Sequence, residues 1–228
     1  MIYLAALLVL LLLIFGPQLW TRYVFRRYST EIQDMPGTGG ELAEHLLEKF
    51  QVEGAKVEET GENNDHYDPE SRTVRLSPHV YNGKSLTAVT VAAHECGHAL
   101  QHHTAYSPLF LRWKFAKYIA VSEKIAALML ITTPFLSLVT RSPAIGLLAL
   151  LAGFIILFMP VLFHLITLPV EFNASFARAL PILIQGRYIP EWAIPVSRRI
   201  LTAAALTYVS ASLASLLNIY RWMVFLRR

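Results

Sequence analysis

Long stretches without charge constrain this chain more than any other feature of its sequence. Asp, Glu, Lys and Arg are absent from residues 1–21, 125–140, 142–170 and 200–220. An α-helix needs about 20 predominantly apolar residues to cross the hydrocarbon core of a bilayer, and the first, third and fourth stretches are that long. The second is long enough only if it extends into 118–122 or pairs as a helical hairpin with the third. The sequence therefore predicts a mainly α-helical membrane protein with about four transmembrane helices.

The composition agrees with this prediction and excludes other classes. Of the 228 residues, 54% are apolar and only 16% are charged, which excludes a disordered chain, a collagen-like chain or a coiled coil. The net charge is +4, and twelve of the sixteen acidic residues lie between Glu31 and Glu70. This segregation is typical of a membrane protein rather than of a nucleic-acid-binding stripe, so we expect a lipid bilayer and no nucleic acid as a partner.

Basic residues beside the uncharged stretches predict the orientation. Arg22, Arg26 and Arg27 directly follow the first stretch, and the excess of Lys and Arg in cytoplasmic loops places them in the cytoplasm. Arg141 and the arginines near the C-terminus, residues 221, 227 and 228, oppose this arrangement unless the last segment is re-entrant. We therefore expect a multi-pass protein whose polar portion lies on the cytoplasmic side.

The polar portion of about ninety residues contains the signals of a small α+β unit. Thr38 and Glu41 form a capping box ahead of an amphipathic helix. Val57 and residues 73–76 alternate with charged neighbours, which predicts two short strands joined by a turn at residues 68–71. A helix capped by Ser85 is expected to follow and to end near residue 101.

That helix carries the motif His94-Glu95-Cys96-Gly97-His98. Residues four apart share one face of a helix, so both imidazoles reach one metal ion, while Glu95 points beside it as a general base. Two core histidines on one helix face are the alternative, and the glutamate in register disfavours it. His102 and His103 extend the cluster and are expected at the exposed helix end or near a substrate cleft.

A lone cysteine, Cys96, excludes an intramolecular disulfide and a multi-cysteine zinc cluster, so a metal site must use histidine and carboxylate ligands. Cys96 itself is expected to pack away from the metal. Catalytic zinc takes three protein ligands and keeps one open position. Glu171 is the candidate third ligand, because it is the only acidic residue between Glu123 and Glu191 and directly follows an uncharged segment. The alternative is a salt bridge between Glu171 and Arg178.

Five blocks of the sequence resemble the YugP-type neutral zinc metallopeptidases of bacterial membranes and, more distantly, the HtpX-like membrane proteases. These blocks are DHYDP at 65–69, VRLS at 74–77, VAAHECGHALQH at 91–102, LPVEFNAS at 168–175 and AAALTYV at 203–209. The resemblance implies a gluzincin-like zinc peptidase anchored in the bacterial cell (inner) membrane. It implies one Zn²⁺ held by His94, His98 and Glu171, with Glu95 as the base.

The sequence departs from the family pattern near the presumed ligands. Asn173 stands where the family is often acidic, and Cys96 where an aliphatic residue is usual. In the HtpX-like relatives an acidic residue four positions after the ligand glutamate orients the first histidine, whereas this chain has Ser175. Either Asn173 or Ser175 is therefore expected to accept the hydrogen bond that a ligating imidazole donates.

These predictions divide the chain into five segments. They are an N-terminal transmembrane anchor at 1–21, a zinc-peptidase domain at 22–117, a transmembrane hairpin at 118–170, a third-ligand helix with a connector at 171–199, and a C-terminal transmembrane or re-entrant helix at 200–228.

The predicted activity is the hydrolysis of peptide or protein substrates, and the alternative is a non-catalytic membrane scaffold that contains zinc. Tyr208, Arg199, Arg178 and His66 are candidates to stabilise the oxyanion, and the sequence does not rank them. Residues 72–76 are expected to offer the sheet edge that a peptide substrate joins. The block at 65–68 either shapes that cleft or builds the turn.

Overall fold

The computed structural model describes residues 2–226, and it describes the side chains of residues 15–116 and 158–211 without a gap. Residues 1, 227 and 228 of the predicted terminal segments lie outside the described residues. The helices are α1 (Ile2–Arg27), α2 (Gly39–Lys49), α3 (Pro78–Tyr81), α4 (Leu86–His103), α5 (Ser107–Thr140), α6 (Pro143–Leu157), α7 (Met159–Phe172), α8 (Leu180–Gln185) and α9 (Ile194–Leu226). The strands are β1 (Lys56–Glu59), β2 (His66–Asp68) and β3 (Thr73–Leu76). A π-helical turn, Asn173–Ala179, joins α7 to α8, and a 3₁₀ turn, Glu191–Ala193, precedes α9.

Helix α4 is the centre of the fold. Its predicted cap is confirmed, because the Ser85 hydroxyl accepts a hydrogen bond from the Ala88 amide at 3.1 Å. Every residue from 86 to 101 is buried, as in a helix that is covered on all sides. Helix α2, strand β3, the π-helical turn and α9 pack around it. The capping box of α2 is also confirmed, with reciprocal hydrogen bonds between Thr38 and Glu41.

The sheet has one strand more than the sequence predicted, and its order is β1-β3-β2. Strand β3 pairs antiparallel with β2 across the predicted turn and parallel with β1 on its other side. The expectation that residues 72–76 form a sheet edge is therefore wrong. Val74 and Leu76 are fully buried, so the most apolar strand occupies the centre, and the short, polar β2 covers one of its edges.

The predicted fold class of a membrane protein with about four transmembrane helices is wrong for the part of the chain that the structure describes. None of the helices described there combines the length with the apolar content that a bilayer crossing requires. The uncharged residues 142–170 are divided between α6 of 15 residues and α7 of 14 residues. At 1.5 Å per residue each helix is about 22 Å long, shorter than the hydrocarbon core of about 30 Å. The described helices therefore do not support the predicted multi-pass arrangement.

Helix α5 shows a second reason for this correction. It is 34 residues long, but it carries five charged residues between its sixth and eighteenth positions, namely Arg112, Lys114, Lys117, Glu123 and Lys124. Helices α5 and α6 pack against each other as a hairpin. Arg141 turns the chain between them in the left-handed conformation, with φ of 49°.

Candidate metal centre

Two imidazoles face the same side of the buried helix α4. His94 and His98 lie one helical turn apart, and their ring centroids are 4.8 Å apart in an edge-to-face arrangement. Both side chains are buried. The four-residue spacing and the cap at Ser85 thus present two ring nitrogens, the Nε2 atoms, from one rigid element.

The carboxylate of Glu171 meets these nitrogens from the end of α7. Its Oε2 atom lies 3.3 Å from His94 Nε2 and 3.4 Å from His98 Nε2, and the side chain is 1% exposed. Among the described residues, Oε2 has no hydrogen-bond partner. A buried carboxylate oxygen with no donor, aimed at two imidazole nitrogens, fits a shared metal ion. One carboxylate with two histidines is also a ligand set of catalytic zinc sites.

Hydrogen bonds fix the far side of both rings. The Ser175 hydroxyl lies 3.1 Å from His94 Nδ1, and the Gln101 side-chain oxygen lies 3.0 Å from His98 Nδ1. The Gln101 amide in turn donates to Val170 O at 2.8 Å and to the Asn173 side chain at 2.9 Å. Of the two residues expected to contact a ligand ring, Ser175 does so directly, and Asn173 acts through Gln101.

The π-helical turn and a glycine bring the two halves of the site together. Gly97 lies between the two histidines, and a Cβ atom there would come within 2.8 Å of the backbone oxygen of Ala174. The absence of a side chain at Gly97 therefore lets α4 touch the π-helical turn. Such turns often occur at functional sites, and this one begins two residues after Glu171 and contains Ser175.

Arg112 holds the other oxygen of Glu171. Its guanidinium donates to Oε1 at 2.5 Å and lies 5.9 Å from the ring centroid of Tyr208. Burial acts to raise the pKa of Glu171, but the adjacent His98 and His94 outweigh it and hold that pKa well below the ordinary value. Burial and the Glu171 carboxylate raise the pKa of Tyr208, so its hydroxyl stays protonated. Glu171 is thus an anion clamped from one side by Arg112.

The residues between the two histidines face different surroundings. Glu95 is buried, and mainly this burial raises its pKa to about 7, although the positive influence of His94 opposes the shift. Cys96 is fully buried and its Sγ atom lies 3.7 Å from Ala43 O on α2. Burial also raises the pKa of its thiol. The position of Cys96 agrees with the expected packing role away from the metal.

Other predicted site residues have partners elsewhere. His66 Nδ1 lies 2.7 Å from Asn64 O, and Arg199 donates to the Tyr28 hydroxyl at 3.3 Å. Arg178 donates to Asn173 and Thr104, and it does not pair with Glu171 as the alternative reading required. His102 Nδ1 contacts the Tyr67 hydroxyl at 2.8 Å, outside the metal-ligand group.

Sequence reasoning missed two residues of the site, Arg112 and Gln101. Gln101 stands three positions after His98 on the same helix face, so its spacing was a usable signal. Arg112 reaches Glu171 from 59 positions away, and nothing in its local sequence distinguishes it from the other basic residues of α5.

This geometry defines a class: a protein with a buried His-His-Glu donor set for zinc, built on a two-histidine helix. The chain belongs to the family described as "Putative neutral zinc metallopeptidase", whose model matches residues 3–227. The chain is also 38% identical over 217 residues to "Putative membrane protease YugP" of Bacillus subtilis (strain 168), covering 92% of each protein. No solved structure matches the chain significantly. Zinc is therefore the metal that both the family and the donor set assign to this site.

Proposed function

We propose that this protein is a zinc-dependent metallopeptidase that hydrolyses peptide bonds with Glu95 as the general base. The observation that carries the proposal is the unpartnered Glu171 Oε2 atom beside two imidazole nitrogens on the helix that also bears Glu95. A structural zinc site has no need of a base and usually takes four protein ligands, whereas this group offers three.

Each residue of the group has a distinct role in this proposal. His94, His98 and Glu171 would hold the ion, which when bound polarises a scissile carbonyl and lowers the pKa of water. Glu95 accepts a proton from the attacking water and then delivers it to the departing amine. Its burial keeps bulk water away from that transfer.

Tyr208 is the best placed of the four oxyanion candidates. Its hydroxyl stays protonated beside Glu171 and Arg112, and a phenol there donates a hydrogen bond to developing negative charge. His66, Arg178 and Arg199 are engaged with other partners, as described above.

For the substrate, we assign a peptide segment that joins the sheet at β2. Because β3 is central, the free edges of the described sheet belong to β1 and β2. Tyr67 on β2 contacts His102, one turn beyond His98 on α4, so this edge lies next to the metal helix. An extended peptide added there gains main-chain hydrogen bonds.

The test compares wild type with Glu95→Gln, and with Glu48→Gln as a control at an exposed glutamate on α2. We expect Glu95→Gln to keep its zinc and to cleave casein about 10²- to 10⁴-fold more slowly, since a general base contributes that much. Glu48→Gln should match wild type. Equal cleavage by all three proteins would exclude Glu95 as the general base. No cleavage by wild type with zinc bound would favour a non-catalytic zinc scaffold.

A lipid bilayer is the second proposed partner. The tip of the α5–α6 hairpin exposes large apolar side chains, with Leu138 77% and Val139 80% exposed. Exposed apolar surface of this kind marks a binding or membrane-contact site. The similar Bacillus protein is named a membrane protease, which supports the same partner. We expect the purified protein to float with phosphatidylcholine vesicles, and recovery in the vesicle-free fraction would contradict the proposal.

A further inference from the structure

The pairing of α1 with α9 gathers five arginines that are separate in the sequence. The Thr21 hydroxyl donates to Ala203 O at 2.7 Å, and Arg199 donates to the Tyr28 hydroxyl at 3.3 Å. These two contacts set the helices antiparallel, so the end of α1 lies beside the beginning of α9. The exposed basic residues at this level are Arg22, Arg26, Arg27, Arg198 and Arg199.

The described ion pairs do not include any of these arginines. Within the part of the chain whose side chains are described, none of the five arginines forms an ion pair with Asp or Glu. Arg199 has a phenol as its partner instead. Five guanidinium groups outside the described ion pairs form a positive surface, the arginine collar, that attracts anions.

The arginine collar lies between two kinds of surface. On one side α1 exposes large apolar side chains, among them Val9, Leu12, Phe15 and Leu19. From residue 19 to residue 9 the helix extends about 15 Å, about half the thickness of a hydrocarbon core. On the other side, Thr87 at the start of α4 donates its hydroxyl to Phe25 O and its amide to Tyr28 O. These bonds connect the collar to the core that contains the metal centre.

We propose that the arginine collar binds the phosphate groups of anionic phospholipids. The proposal rests on the bilayer association proposed above and adds its lipid selectivity. Arginine forms paired hydrogen bonds with phosphate, and its aliphatic stem lies against apolar surface while its charge stays in the headgroup region. The collar would seat the apolar part of α1 in one leaflet and keep the metal centre at the aqueous side.

The test measures partitioning of the full chain into phosphatidylcholine vesicles with and without phosphatidylglycerol. The variant Arg26→Gln/Arg198→Gln removes one collar charge from each helix and leaves the Arg199–Tyr28 contact in place. The control Lys49→Gln/Lys56→Gln removes the same charge from exposed positions at the end of α2 and on β1. Each basic residue near an anionic surface contributes about a fivefold factor, so the collar variant should lose roughly 30-fold in affinity for the anionic vesicles.

We expect wild type and the control variant to prefer anionic vesicles, with a preference that weakens as salt rises. Zinc content and peptide cleavage in detergent should be equal in all three proteins, which separates the collar from the proposed activity. Equal partitioning of wild type into both vesicle types would overturn the collar and leave bilayer association intact. Equal loss in both double variants would overturn it as well, because net charge would then explain the effect. A loss of duplex DNA binding in the collar variant, with unchanged vesicle binding, would assign the arginines to nucleic acid instead.

Discussion

Glu171 is the side chain on which the proposed chemistry depends most. Its position after a long uncharged segment marked it in the sequence as a carboxylate that requires a partner. The structure gives it three neighbours at once: two imidazoles at one oxygen and Arg112 at the other. The sequence could indicate the lone carboxylate and the two histidines, because each has a local signal. Arg112 has none, since its role follows only from how α5 packs on α7.

The hydroxyl group of Ser175 is expected to orient the His94 ring. Replacing Ser175 by Ala removes the hydrogen bond to His94 Nδ1, which orients the ring toward the metal position. We expect zinc affinity to fall by about 10-fold or more, as loss of such outer contacts does in other metal sites. The measurement is a competition titration with a zinc chelator.

Ser197→Ala is the matched control for this substitution. Ser197 on α9 is also fully buried, and its hydroxyl lies 3.0 Å from the hydroxyl of Thr90. Thr90 lies on α4, the helix that carries His94. Both variants should lose about 1 kcal/mol of stability, since each loses one buried hydrogen bond. If zinc affinity falls equally in both, Ser175 acts on the fold and has no specific role at the metal.

At the scale of elements, the site depends on close contact between α4 and the π-helical turn. Gly97→Ala places a methyl group 2.8 Å from Ala174 O, so one of the two elements must move. Overpacking of this kind costs about 1–3 kcal/mol, and the shift separates the histidines from Glu171. We expect a lower melting temperature together with weaker zinc binding.

Gly16→Ala is the control for Gly97→Ala. A Cβ atom at Gly16 meets no atom within 4 Å, and alanine favours the helical conformation of α1. This variant should bind zinc as wild type does and should not be less stable. A Gly97→Ala protein with unchanged zinc affinity would show that the contact with Ala174 does not set the metal geometry.

The sheet shows what local sequence could and could not predict. The turn after Asp68 and the apolar alternation of β3 carried clear signals, and both are present. Strand β2 has only three residues, His66–Asp68, none of them aliphatic, so no alternation revealed it. The parallel pairing of β1 with β3 is non-local, and for this reason the sequence did not identify β3 as the central strand.

Asp68 makes the sheet sensitive to acid. Hydrogen bonds from Arg75, and then from Ser71, hold the pKa of Asp68 well below its ordinary value. Because the folded-state pKa is the lower one, this stabilisation is fully present above the unfolded pKa of about 3.9 and is lost as pH falls below it. Asp68→Asn should therefore lower the free energy of unfolding at neutral pH by about 1 kcal/mol, a value reduced by partial solvent exposure.

Thermal unfolding of wild type and Asp68→Asn between neutral and acidic pH checks this prediction. The difference in melting temperature should shrink as pH falls below about 4. Asp34→Asn, at an exposed aspartate in the connection between α1 and α2, should show little difference at any pH. A difference between wild type and Asp68→Asn that stays constant with pH would mean that the carboxylate charge is not the stabilising feature.

For the whole molecule, uncharged length was a poor guide to architecture. Residues 142–170 contain no charge, yet the helix is interrupted after Leu157, and α7 begins at Met159 with Pro160 in its first turn. Proline fits there because an amide hydrogen in the first turn of a helix has no acceptor within the helix, so its absence costs no hydrogen bond. Composition gave the mainly helical character correctly, but it could not show where a continuous apolar stretch divides.

The apolar tip of the α5–α6 hairpin is expected to contribute to the association of the whole molecule with lipid. Leu138→Gln/Val139→Gln removes two exposed apolar side chains from the surface proposed to contact lipid. Partitioning into phosphatidylcholine vesicles should fall by about 100-fold, because the two side chains together contribute on the order of 3 kcal/mol when buried. Zinc content should not change.

Phe50→Gln is the control for the hairpin variant. Phe50 is 38% exposed at the end of α2, on the polar part of the chain that the hairpin does not include. Its replacement should leave vesicle partitioning as in wild type. Unchanged partitioning of the hairpin variant would exclude this tip as the lipid contact.

The proposed metal centre can be tested by locating zinc in a crystal of the metal-loaded protein from anomalous scattering at the zinc edge. We expect one peak per chain, bonded to the Nε2 atoms of His94 and His98 and to Oε2 of Glu171 at about 2.0–2.2 Å. A peak bonded to other residues, or one that Glu171 does not reach, would exclude these three residues as the ligand set.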